Sequence, residues 1–395
     1  MNLDILKNTI QSCNINFLIG SGLSRDYLIT LGNIESLLEE IESNECEEFI
    51  KSIIKASLFK KYFEEVMIKN VDTYEKSEQE KTDFDTTLSN YKDFLKWLNT
   101  VLLCRYMPIH SKQVNLFTTN IDLFFERAFE ETNVESNDGF KGRIKPVFNL
   151  SNFQKSYKKT SLHYKNTSEI PVFNLLKLHG SVNWRKEAEN IVLSDFSEIE
   201  NVKKSLEDLG GLISVDKDST IHTLVELAKK IESTINATHL NSFIKEYSKI
   251  QVVNPTKEKF KTTLLNTYYY ELLRLFANEM EKENTLLFAM GFSFADEHIR
   301  EITIRALNSN PTSQLYVFAL NNDAKADIEK NLEFAKNRFL NGNIKIIDPE
   351  TFNELNKEDE TIPKVSIFNF ESINKSVFER LAQKVNPTIR EKNGK

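Results

Sequence analysis

A chain of 395 residues, 40% hydrophobic and 28% charged, can bury a core for one large α/β domain or two smaller ones. Its formal net charge of -7 argues against non-specific nucleic-acid binding, which needs a positive field. Three cysteines, Cys13, Cys46 and Cys104, lie far apart without a Cys-x-x-Cys pair, which suits a reducing cytoplasm and excludes a zinc site built from cysteine pairs.

Leu3, Ile5, Leu6 and Ile10 predict an amphipathic helix, interrupted by polar residues and unlike a signal peptide. No apolar run approaches the length that spans a bilayer. A buried parallel strand is expected over Ile15–Ile19, ending in Gly20-Ser21-Gly22-Leu23-Ser24. Glycines there let the chain turn sharply and let a phosphate approach, and N–H groups in front of a helix start form an anion site. An ordinary strand-to-helix turn reads the same way. Between Gly32 and Pro108, helical spacing (Ile34, Leu37, Leu38, Ile41; Phe94, Leu95, Leu98, Val101) predicts inserted helices that cover a nucleotide or build an oligomer surface. The polar piece Val71–Asn90 is expected to be a loop or an exposed helix.

A second strand, Val114–Thr118, runs into Thr119-Asn120-Ile121-Asp122, and a helix follows. Asp122 fits an N-cap and Asn120 a turn residue. Residues 141–168 carry Lys141, Arg143, Lys145, Lys155, Lys158, Lys159 and Lys165 without an acid. A solvated loop is the plain reading; a basic lid or a docking surface for an acidic partner is the sharper one. A third strand, Phe173–Leu178, ends at His179-Gly180-Ser181. A histidine there is either bonded to backbone in the core or placed where parallel sheets put their chemistry. The other five histidines show no metal-ligand spacing. Residues 191–250 read as a second helical insertion, and Val252-Val253-Asn254-Pro255-Thr256 as a return to the sheet edge before a helix through Leu264, Tyr268, Leu272, Leu275 and Phe276. Further strands are expected over Thr285–Met290, which leads into Gly291-Phe292-Ser293-Phe294-Ala295-Asp296, over Leu315–Leu320, which leads into Asn321, and over Ile344–Ile347. Asp296 fits an N-cap. Six strands with polar residues at their C-terminal ends describe a Rossmann-like, doubly wound parallel sheet. Residues 1–350 would form that domain, with helical insertions at about 33–110 and 191–250, and residues 351–395 a C-terminal helical extension, frayed beyond about Val385.

Four segments together resemble the sirtuin superfamily, especially its bacterial defence branch: Gly20-Ser21-Gly22-Leu23-Ser24, Thr118-Thr119-Asn120-Ile121-Asp122, Lys177-Leu178-His179-Gly180-Ser181, and Gly291-Phe292-Ser293-Phe294-Ala295-Asp296-Glu297-His298-Ile299. The resemblance implies NAD as substrate. Gly20, Ser21, Gly22 and Ser24 would hold its pyrophosphate, and Thr118 and Gly291 would belong to the same binding loops. Asn120 would contact the nicotinamide-side ribose, Asp122 the nicotinamide amide, and His179 would be the base. Ser293, Asp296 and Asn321 would lie near the adenosine. Thr119 stands where sirtuins carry glutamine, and the four-cysteine zinc module of protein deacylases is missing. The resemblance therefore implies a cytoplasmic NAD glycohydrolase that depletes NAD in anti-phage defence, homo-oligomeric and partnered by a HerA-type hexameric ATPase. Two alternatives stand beside it: a sirtuin-type protein deacylase, and a module that senses NAD or ADP-ribose without turnover.

Overall fold

The computed structural model describes residues 1–30, 34–106, 109–253, 267–334, 336, 339 and 341–388. Expectations resting on Gly32, Pro108, the Asn254-Pro255-Thr256 piece, Leu264 and the chain end from residue 389 lie outside these residues.

Helix α1 (Leu3–Thr9), capped by Asn2, leads into β1 (Asn14–Ile19). The first insertion holds α2 (Ile34–Ser43), α3 (Glu48–Tyr62) and α4 (Glu78–Leu103). Much of the polar piece Val71–Asn90 is the front of α4, started by a reciprocal capping box between Ser77 and Glu80. Then come β2 (Gln113–Thr118), α5 (Phe124–Thr132), β3 (Ser136–Asn137), β4 (Phe140–Lys141) and β5 (Val147–Phe148). The exposed hairpin β6 (Lys158–Thr160) and β7 (Thr167–Glu169) occupies the basic segment. Next are β8 (Val172–Lys177), β9 (Gly180–Glu187), β10 (Asn190–Leu193), α6 (Ser197–Leu209), α7 (Ile221–Ile231), α8 (Ala237–Tyr247) and β11 (Ile250–Val252). The C-terminal part alternates α9 (Thr267–Glu281), β12 (Thr285–Met290), α10 (Glu297–Ser309), β13 (Gln314–Phe318), α11 (Asn322–Asn331), β14 (Ile344–Ile347) and α12 (Pro349–Leu355). It ends in α13 (Phe370–Ile373) and α14 (Glu379–Val385).

The main sheet is parallel throughout, in the order β14-β13-β12-β1-β2-β8-β3. It is the expected Rossmann-like, doubly wound sheet with helices on both faces. From β1 the chain winds one way to β2 and β8, then returns past β1 to β12 and winds the other way. The winding direction thus reverses beside β1, and open α/β sheets carry their crevices over the strand ends at such a point. The strands are apolar runs because both faces are covered: every residue of β8 and β12 is buried. Phe17 packs against Phe288 and Phe94 at 5.1 Å each, and against Phe378.

Three features depart from the expectations. A second sheet, β11-β9-β10-β5-β4, stands beside the first, so β11 pairs with β9 and does not return to the main sheet edge. The stretch expected to be helical from residue 191 begins as strand β10. The last helices are embedded in the main core: Phe370, Ile373, Val377, Phe378, Leu381 and Ala382 are all buried. Asn374 donates to the Asn90 carbonyl at 2.8 Å, which fastens this segment to α4.

Candidate active site

The crevice at the ends of β1, β2, β8 and β12 holds a cavity of about 400 Å³. Ser21, Gly22, Ser24, Thr119, Asn120, Asp122, His179, Ser293 and Asp296 reach it from the four strand-end loops. The rest of the wall comes from the first insertion and the chain leading to it, through Leu28, Ile29, Thr30, Glu35, Tyr62 and Val66. The first insertion thus contributes directly to the cavity lining. None of the lining residues comes from the basic segment 141–168.

The first loop is packed tightly against the turn at Gly291. A Cβ on Gly20 would collide with the Gly291 carbonyl oxygen, and one on Gly22 would sit 2.8 Å from the Gly291 Cα. The space these glycines leave is filled by the other glycine turn. Gly291 has φ +59°, the left-handed region that favours glycine. The N–H of Gly20 donates to Met290, that of Gly22 to Gly291, that of Leu23 to Gly20 and that of Ser24 to Ser21. Of the four residues expected to hold pyrophosphate, Gly20, Gly22 and Ser24 thus have their N–H groups engaged within the two loops. Behind them stands one 3-10 turn, Ser21–Leu23, where a helix start was expected.

The second loop is held by its own strand. Thr118 is fully buried, and its hydroxyl donates to the Ile19 carbonyl and accepts from the Asn120 N–H, both at 3.0 Å. It fixes the loop from beneath and does not line the cavity. Asn120 Nδ2 donates to the Tyr91 hydroxyl at 3.4 Å, while its Oδ1 is buried with no protein partner among the described residues. Asn120 itself lines the cavity, and a buried acceptor left unpaired in this way calls for a partner. Asp122 accepts from Ser24 Oγ at 2.9 Å and from the Phe124 N–H at 3.2 Å. The formal N-cap of α5 is Leu123, so Asp122 closes an Asx turn one residue earlier. Burial raises the carboxyl pKa of Asp122, against the opposing pull of the Lys177 charge and the Ser24 and Phe124 donors.

Two residues the sequence did not single out organise this floor. Tyr91, from the inserted helix α4, bonds Ser24 Oγ at 2.8 Å, so the insertion ties the first loop to the second. Burial, with Asp122 nearby, pushes its phenol well above its ordinary value. Lys177, only 3% exposed, donates to the Asp122 carbonyl, to Ser181 Oγ at 2.9 Å and to Glu126 at 2.7 Å. A charge inside the run Leu175-Leu176-Lys177-Leu178 was the available signal. Such a lysine has to be paired, and its partners lock the third loop to the second.

His179 follows β8, and its carbonyl accepts from the Val253 N–H at 2.9 Å. Its Nε2 lies 3.1 Å from Asp296 Oδ2. Asp296 is thus brought against the imidazole. Ser293 lines the same cavity. Asn321 does not: it caps α11, accepting from the Ala324 N–H at 2.9 Å, and lines a different cavity with Asp323 and Thr351. Among the described residues, no group of three or more His, Cys, Asp or Glu could hold a metal ion. No described helix is long and apolar enough to cross a membrane.

The model of the SIR2-like domain family matches residues 114–210 and 218–341, more than half of the chain. The chain belongs to the SIR2-like family. Its fold is thus of the sirtuin type, which binds NAD. The match takes in the Thr118–Asp122, His179 and Gly291–Asp296 loops of this SIR2-like protein, while the Gly20–Ser24 loop precedes it and joins the site by geometry. No curated protein matches the chain. Among solved structures, a Sir2 variant with deacetylated p53 peptide and 3′-O-acetyl ADP-ribose covers 87% of this chain and 100% of its own, at 12% identity and a TM-score of 0.34. That likeness is loose and adds nothing to the family match.

Proposed function

We propose that this SIR2-like protein is an NAD glycohydrolase, which cleaves the nicotinamide–ribose bond to give nicotinamide and ADP-ribose. The observation that carries the reading is the convergence of His179, Asn120 and Asp122 on one cavity lined also by the inserted chain. Nicotinamide leaves a pyridinium as a neutral ring and needs no proton. The site has to stabilise oxocarbenium-like charge and supply a nucleophile, the problem that glycosidases solve. Asn120 accepts from the ribose and holds it in the reacting geometry, which is catalysis by positioning. Water attacks the anomeric carbon as the bond to nicotinamide breaks, and His179 takes the proton that the water gives up. NAD and water are thereby converted to nicotinamide, ADP-ribose and one proton.

Leu28–Thr30 and the inserted residues Glu35, Tyr62 and Val66 line the pocket, which supports water as acceptor over an acyl-lysine peptide. The resemblance to defence effectors supports a role in depleting NAD during phage infection, in the cytoplasm, as a homo-oligomer switched by a HerA-type hexameric ATPase. His179→Ala and Asn120→Ala should each abolish NAD loss in purified protein while leaving the fold intact. Parental turnover in His179→Ala would refute the assignment. Stimulation of nicotinamide release by an acetyl-lysine peptide would point to deacylation.

A further inference from the structure

Asp296 has two carboxylate oxygens engaged in two different tasks. Oδ1 accepts from the His298 and Ile299 N–H groups at 3.1 and 3.2 Å, so it caps α10. Oδ2 faces His179 Nε2 at 3.1 Å. The cap fixes the carboxylate, and the N-terminal end of α10 favours its negative charge. A carboxylate held this way presents only an acceptor to the imidazole, so Nε2 must carry the proton. Which ring nitrogen is protonated is set by the bond that the other group makes. The side chains of His179 and Asp296 are 15% and 9% exposed, so water competes little for this bond.

We propose that Asp296 is the positioning residue of the base: it selects the Nε2–H tautomer of His179 and so leaves Nδ1 as the one lone pair able to take a proton. This rests on His179 being the base of the reaction proposed above. It also explains why the aspartate comes from the β12 loop. The helix-capping geometry that places Oδ1 also directs Oδ2 at the strand end of β8. Capping and tautomer selection are separable, because asparagine caps a helix as well as aspartate does. An Asp296→Asn side chain keeps the Oδ1 acceptor and turns an NH₂ donor toward Nε2. The ring then has to accept at Nε2 and carry its proton at Nδ1, where it no longer serves as the base.

The test uses full-length protein with ¹⁵N-labelled histidine and reads the tautomer of His179 from long-range ¹H–¹⁵N spectra, assigned by comparison with His179→Gln. The parent is expected as Nε2–H and Asp296→Asn as Nδ1–H. In the same variant, kcat for nicotinamide release falls about 100-fold or more, while KM for NAD and the melting temperature stay close to parental. An Nδ1–H tautomer in the parent, or an unchanged tautomer in Asp296→Asn, overturns the proposal. The spectra do not depend on turnover. A parent that shows the Nε2–H signature but leaves NAD intact both alone and with a HerA-type ATPase would therefore sink the glycohydrolase reading and leave the tautomer assignment standing.

Discussion

At the scale of single residues, the site is a set of loops tied together by side chains whose chemistry is not aimed at substrate. The Tyr91 hydroxyl bonds both Ser24 and Asn120, while its ring stacks on Phe124 at 5.3 Å and meets Phe125 and Phe370 edge-on. Tyr91→Phe keeps those ring contacts and removes only the oxygen. The loss of one buried hydrogen-bonding group costs about 1 kcal/mol of stability, and the loosened Asn120 lowers nicotinamide release about tenfold. Melting curves and product assays on the same preparation separate the two effects. A variant as active as the parent would show that the insertion only covers the site and does not organise it. Tyr91 was not legible in the sequence as a site residue. On a helix, a tyrosine at core spacing looks like any other core aromatic, and its partners lie 29 and 67 positions away. His179, Asn120 and Asp122 were legible because each directly follows an apolar strand. The glycines were legible as a tight turn, but the close approach of the Gly291 turn that they make room for was not.

At the scale of elements, the central strands could be read because burial on both faces makes them unbroken apolar runs. The second sheet could not. Strand β9 carries Asn183, Arg185, Lys186 and Glu187, so it has no apolar run, and its partners β10 and β11 are short. A polar row across the main sheet was also missed. Asn16, Asn115, Asn174 and Asn137 stand in register on β1, β2, β8 and β3, and their amides bond in sequence from strand to strand. One asparagine in each strand looks like an interruption, and only the register turns four of them into a satisfied ladder. Helix ends show the same dependence on partners. Asp348 caps α12 through the Thr351 N–H and meets Lys325 of α11 at 2.6 Å. Burial works to raise its pKa, but the Lys325 and Thr351 donors outweigh burial and hold it at about 2. Because the folded value lies below the unfolded one, the stabilisation is complete above the unfolded pKa and is lost as pH falls toward the folded value. Asp348→Ala is therefore expected to cost about 1 kcal/mol near neutral pH, with the gap to the parent closing between about pH 4 and pH 2. Thermal melts across that range check it, and a constant gap would mean that Lys325 and the cap do not act through the charge.

At the scale of the whole molecule, the nucleotide-type sheet and the helices around it form one interdependent body. The inserted helix α4 and the C-terminal segment share a core with β1, through Phe17, Phe94, Phe370 and Phe378. The pocket is lined by the first insertion, and α4 meets the C-terminal segment at Asn90 and Asn374. A partner that shifts either helical segment therefore has a route to Tyr91 and from there to Asn120. The reaction itself is the claim on which the rest depends. The most direct measurement is the release of nicotinamide and ADP-ribose from NAD by the purified full-length protein, with no peptide present, alone and with a HerA-type ATPase. The account predicts equal amounts of the two products in at least one of these conditions. Intact NAD in both, from protein shown to bind it, would contradict the glycohydrolase reading and favour a sensor.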